Sequence, residues 1–192
     1  SIGIAVSCGD HTADSTLEAA DEVLRNADVA MYAAKRAGKG RVEAYESSMS
    51  ADVRHRLELE RALRRALEHD ELVLHYQPVI VLATGAVRGM EALVRWEHPE
   101  FGHLLPQQFI PLAEETGLIT QVGNWVLREA CRQLMAWRAD GMSPDLFIAV
   151  NVSSRELLHD RDIAADVRAV LAETGLDARH LVLEITESVL MQ

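Results

Sequence analysis

Four residues carry the chemistry legible in this chain: Glu91, Asn151, Glu184 and Arg95. Glu91 and Arg95 stand in Val87 to Trp96 (VRGMEALVRW), otherwise rich in apolar residues. Read as a β-strand, alternate side chains face opposite ways, so Glu91, Leu93 and Arg95 share one face. Four residues of extended chain span roughly 13 Å, at about 3.3 Å each. That is too far for Glu91 and Arg95 to pair with one another. A buried charge is costly unless paired, so Glu91 needs a cation and Arg95 an anion. Read as a helix, the same segment would make the two charges an ordinary i,i+4 surface pair. Its neighbours decide between the two.

Those neighbours alternate strand and helix. Leu72 to Val81 (LVLHYQPVIV) reads as a strand, with Pro78 marking a point where pairing stops, and a Thr84-Gly85 turn leads into the Glu91 strand. Pro106 to Thr116 reads as a helix stopped by Gly117, and Thr120 to Asp140 as a longer one with Val122, Val126, Ala130, Leu134 and Trp137 inward. Leu146 to Val152 is an apolar strand. Ser153 and Glu156 form a capping box opening a short helix, and a second helix ends near Gly175. Leu181 to Glu187 (LVLEITE) is the last strand. Strands alternating with helices mean βα units and a mainly parallel sheet.

Glu91, Asn151 and Glu184 each stand in the C-terminal part of an apolar strand, just before the chain turns away. In a (β/α)8 barrel such strand ends converge on one site. Two carboxylates and an amide oxygen are an all-oxygen donor set, suited to Mg²⁺ or Mn²⁺ rather than Zn²⁺. Any one of them alone reads as a strand-end residue bonded to loop backbone; three in successive units do not. Glu187 lies three residues after Glu184 and so faces the other way, which suits tying down a loop better than ligation. His75 reads as a core histidine, and His98 and His103 as loop residues without a role.

The first stretch is separate in character. Ser1 to Ser7 and Arg41 to Tyr45 read as strands, and a helix opened by a Ser15/Glu18 capping box runs to about Ala37, with Leu17, Ala20, Val23, Leu24, Ala27, Ala30, Met31 and Ala34 on its buried stripe. Residues 1–46 are thus β-α-β, followed by a linker helix over 47–70 and the alternating region over 71–192. Lys35, Arg36, Lys39 and Arg41 cluster at the helix end, where cations complement the helix dipole; the alternative reading of the cluster is phosphate binding.

The formal net charge of −11 disfavours polymeric nucleic acid and anionic membrane surfaces. It also requires a local cation wherever a phosphate is to bind. Cys8 and Cys131 fit no metal or CxxC pattern, so a reducing cytoplasm is expected. No apolar run reaches the length of a membrane span. The chain opens and closes in strand patterns without an initial Met, as expected of a piece of a larger polypeptide, which could itself be membrane-tethered upstream.

Two resemblances follow from these residues. Ala27 to Arg41 (ADVAMYAAKRAGKGR) resembles the closing helix and turn of a GGDEF, diguanylate-cyclase-type domain; Lys35, Gly38 and Lys39 match, and Gly40 replaces the usual Asn. Tyr76 to Pro78 (YQP), Met90 to Pro99 (MEALVRWEHP), Pro106 to Ile119 (PQQFIPLAEETGLI), Asn151 to Ser153 (NVS) and Glu184 to Ser188 (EITES) are similar, in the same order, to the motifs of the EAL family of cyclic-di-GMP phosphodiesterases.

The second resemblance implies the N-terminal half of a TIM-like (β/α)8 barrel whose first strand runs antiparallel to the rest. It implies Glu91, Asn151 and Glu184 as metal ligands, Glu91 and Glu187 as catalytic, and Gln77, Leu93, Arg95 and Pro106 as substrate contacts, with Arg95 on a phosphate. The reaction implied is metal-assisted hydrolysis of cyclic-di-GMP to linear pGpG. The alternative is a silent EAL module that binds the dinucleotide or a partner protein; every ligand position in the matching motifs is filled, which favours the enzyme. A barrel of this kind takes about 250 residues, and the family's aspartate pair and later Lys and Glu would fall beyond Gln192. The 192 residues alone are therefore expected to be inactive, and to self-associate, a homodimer among the outcomes.

Overall fold

The computed structural model describes residues 1–6, 16–158 and 162–185. Two compact units divide the chain, Ser1–Leu59 and Glu60–Gln192.

In the first unit, β1 (Ile2–Ile4) and β2 (Val42–Ala44) pair in parallel, joined by the crossover helix α1 (Thr16–Arg36). Gly3 sits so close to α1 that a Cβ there would lie 2.0 Å from the Ala27 carbonyl oxygen. Two three-residue strands reach only the C-terminal half of α1. Ala30 and Ala34 are fully buried, whereas Leu24 is 64% exposed. The expected stripe is therefore covered at one end and bare at the other, with Ala20 also exposed. The Ser15 capping position and the Glu18 side chain lie outside what is described.

Helix α2 (Ser47–Ala66) crosses from the first unit into the second. The second unit holds β3 (Leu72–Ile80), β4 (Val87–His98), β5 (Gly102–Leu104), α3 (Pro106–Thr116), α4 (Ile119–Ala139), β6 (Phe147–Val152), α5 (Ser154–Leu158), α6 (Ile163–Thr174) and β7 (Leu181–Ile185). The strand order is β3-β4-β6-β7, with β5 added to β4. β3 runs antiparallel to β4, while β4, β6 and β7 are parallel. This is an open α/β sheet with an antiparallel first strand, as expected; it does not close on itself among the described residues. The strand reading of Val87 to Trp96 holds, and β4 runs two residues further.

Alternation in β4 sorts its two faces. Ala92, Trp96 and His98 are buried toward the helices. The Trp96 ring meets Phe109 of α3 edge-on, centroids 5.7 Å apart, and its Nε1 donates to Glu71 Oε2 at 3.0 Å. A buried indole keeps its apolar area dry only if its N–H finds a partner; truncating either ring to Ala costs about 3–5 kcal/mol. On β3, Tyr76 turns to the same side and packs edge-on against Trp137 of α4, centroids 4.7 Å apart. Phe109, Leu118, Val122, Leu134 and Ile148 fill the layer between sheet and helices.

The turns that end these elements were readable. Pro106 opens α3 at a position whose N–H would be orphaned anyway, and Gln108 Oε1 accepts the Leu105 N–H at 2.8 Å. Gly117 closes the helix at φ 77°, a conformation costly for any residue with a Cβ. The β4–β5 turn is held by buried His98, whose Nδ1 accepts from the amides of Glu100 (3.0 Å) and Phe101 (3.1 Å). That turn creates β5, three residues too short to show an alternating pattern.

Candidate functional site

The opposite face of the sheet, turned away from α3 and α4, carries the polar residues. Register places Gln77 of β3 directly across from Glu91 of β4. Glu91 is level with Ala149 of β6, so Asn151 lies two residues further along the same face. Asn151 in turn is level with Glu184 of β7. β6 is the middle strand of the three, so Asn151 stands between the two carboxylates.

The side chains meet. Asn151 Nδ2 donates to Glu91 Oε1 at 2.7 Å. The Glu184 carboxyl is held above the usual glutamate range, first by burial and then by the negative charge of Glu91. A carboxylate whose ionisation is disfavoured beside a second carboxylate, with an amide between them, forms a site that a cation relieves. Its oxygen donors suit a hard divalent ion that keeps several waters. Among the described residues no three His, Cys, Asp or Glu side chains gather closely enough to hold a metal; the third donor here is an amide.

Leu93 and Arg95 follow Glu91 on the same face by alternation, both half-buried. Arg95 turns back on its own strand, its NH1 donating to the Val94 carbonyl oxygen at 2.7 Å. Pro106, half-buried, starts α3 just beyond β5. The structure thus brings Gln77, Glu91, Asn151 and Glu184 to one face, with Leu93 and Arg95 along the same strand. Glu187 lies outside the described residues.

Three features of this face went unread in the sequence. Gly89 has the Phe147 ring over it, where a Cβ would lie 2.6 Å from three ring carbons. A glycine inside a strand often marks such a close approach, and that was the available signal. The other two are His75 and His103. His75 is not a core residue, and His103 stands in β5 rather than in a loop: both are exposed, and their rings lie 5.4 Å apart.

The sequence model of the EAL domain matches residues 60–192. The chain belongs to the EAL domain family. Over its whole length it is 47% identical to the bifunctional diguanylate cyclase/cyclic di-GMP phosphodiesterase MucR of Pseudomonas aeruginosa, of which it covers 27%. It is 43% identical to the cyclic di-GMP phosphodiesterase PdeR of Escherichia coli over 192 residues, 28% of that protein. The chain therefore spans about a quarter of the length of these relatives. Among solved EAL structures, the PaMucR phosphodiesterase in complex with c-di-GMP aligns with a TM-score of 0.66 at 50% identity, covering 70% of this chain and 54% of that one. The Xanthomonas citri FimX EAL domain in complex with c-diGMP aligns with a TM-score of 0.63 at 28% identity, covering 73% and 53%. Over the aligned portion this EAL unit shares its fold with them.

Proposed function

We propose that the intact protein hydrolyses cyclic-di-GMP to linear pGpG, with Mg²⁺ or Mn²⁺ held by Glu91, Asn151 and Glu184. The observation that carries this reading is the meeting of Glu91 with Asn151 and the raised Glu184 carboxyl beside them. A divalent ion bound there supplies Lewis-acid polarisation of the phosphodiester and activation of water.

The chain's own residues bind and orient. Arg95 leaves the Val94 carbonyl for a phosphate oxygen, a charge-assisted bond worth about 1.5–3 kcal/mol. Gln77, Leu93 and Pro106 line the groove that holds the dinucleotide, and Glu187 acts in catalysis by fixing a loop. With a net charge of −11, the substrate's phosphates are drawn in only by the ion and Arg95, so affinity depends on the metal being present. Residues 1–46 are a GGDEF-type remnant, 47–70 a linking helix and 71–192 the EAL portion. No described helix is long and apolar enough to cross a membrane. The cytoplasm is the setting that fits cyclic-di-GMP signalling.

The test is to strip the intact protein with EDTA and follow cyclic-di-GMP by mass spectrometry. Hydrolysis to pGpG should be absent until Mg²⁺ or Mn²⁺ is returned. Full turnover in EDTA would refute the metal-dependent reading.

A further inference from the structure

We infer that His75 and His103 form a base-stacking wall, seating one guanine of the cyclic dinucleotide; this rests on the function proposed above. His75 stands across from Leu93 on one side of β4, and His103 across from Glu97 on the other. Both share the face of Gln77, Glu91 and Arg95. Their side chains converge over β4, at the level of Arg95, until the ring centroids are 5.4 Å apart at a tilt of 30°.

Exposed histidines have no need to meet one another, and water would satisfy each ring separately. What their meeting creates is an aromatic surface of two rings tilted by 30°, on a face otherwise furnished with carboxylates, amides and one guanidinium. The pair is not a metal centre, since no third His, Cys, Asp or Glu joins them among the described residues. Position then specifies the ligand. His75 lies two residues from Gln77, roughly 7 Å along the strand, and Gln77 is level with Glu91. The rings, at the level of Arg95, are thus within a nucleotide's length of the phosphate that Arg95 takes, and four residues, roughly 13 Å along the strand, from Glu91. Stacking is sequence-tolerant and worth about 1–3 kcal/mol per base, so the wall adds affinity, and recognition of guanine's edge falls to groups such as Gln77.

The experiment uses the intact protein and four variants: His75→Gln, His103→Gln, His75→Phe and His103→Phe. Each is assayed for kcat and KM on cyclic-di-GMP, and for quenching of a cyclic dinucleotide carrying one 2-aminopurine. The Gln variants should raise KM about fivefold or more, the lower end of that stacking range, with kcat within about twofold, and lose part of the quenching. The Phe variants, which keep a stacking plane, should stay within about twofold of wild type in both. Unchanged KM in the Gln variants, or Phe variants as weak as Gln, overturns the wall while leaving the phosphodiesterase reading intact. A folded wild type that neither binds nor hydrolyses cyclic-di-GMP overturns both.

Discussion

Asn151 presents its amide nitrogen, not its oxygen, to Glu91: Nδ2 donates to Oε1 at 2.7 Å across two parallel strands. A carboxylate without a cation is satisfied by a donor, and the amide supplies one. For a divalent ion to take an oxygen ligand from Asn151, the amide would have to turn so that Oδ1 faces it. An amide offers both a donor and an acceptor, which an ionised aspartate does not.

Asn151→Asp should expose that difference. It would set a third carboxylate between two whose charges already oppose each other. In EDTA the variant should melt several degrees below wild type, and Mg²⁺ should raise its melting temperature by more than it raises that of wild type. Scanning fluorimetry with and without the ion measures both. Equal melting temperatures in EDTA would mean that the three side chains do not share a field.

Glu184 makes stability depend on pH. Its folded carboxyl titrates above its ordinary range, through burial and the charge of Glu91, so the folded state holds a proton more tightly than the unfolded chain. Stability then falls as pH rises from the ordinary glutamate value of about 4.3 through the folded value, and the cost is fully present above it. Glu184→Gln removes the charge but keeps the shape. In metal-free urea titrations it should be more stable than wild type at pH 7 and equal to it below about pH 4. A variant less stable at pH 7 would show that the carboxylate is held by a cation of the protein itself.

How much was legible before the structure depended on how local each signal was. α3 was readable to the residue, because Pro106 and Gly117 mark its ends by backbone geometry alone. β4 was readable as a strand only with its neighbours, since Glu91 and Arg95 suit an exposed helix equally well. β5 was missed: three residues show no period, and a histidine holding a turn through its ring nitrogen leaves no pattern. Glu91, Asn151 and Glu184, which the register brings to one face, were visible as polar residues at strand ends. The His75–His103 pair was not, because its meaning lies in register across β4, which no local pattern encodes. Leu24 failed for the complementary reason: a stripe on a helix announces that it needs a cover, not how far the cover extends.

Gly123 is a packing requirement that the helical pattern of α4 hides. A Cβ there would lie 2.0 Å from Glu156 Oε1, and buried Glu156 accepts the Ser153 N–H at 3.0 Å just past Asn151. Gly123→Ala should therefore destabilise the fold by about 1–3 kcal/mol, as overpacking does, despite the better helix propensity of alanine. Urea denaturation followed by circular dichroism decides it. A stabilised variant would show that Glu156 gives way freely.

Cys131 is fully buried, and burial pushes its thiol up to about 11. In a Cys8→Ser background it should react with Ellman's reagent at pH 8 only as fast as the protein unfolds. Labelling within seconds under native conditions would place it at a surface.

The central claim is that Glu91 belongs to the reacting site of a cyclic-di-GMP phosphodiesterase. The most direct measurement is the rate of pGpG formation by the intact protein in saturating Mg²⁺, wild type against Glu91→Ala, with circular dichroism matched between the two. Wild type should linearise cyclic-di-GMP, and the variant should fall to the background rate. A folded Glu91→Ala variant turning over at the wild-type rate would place the chemistry elsewhere and contradict the account.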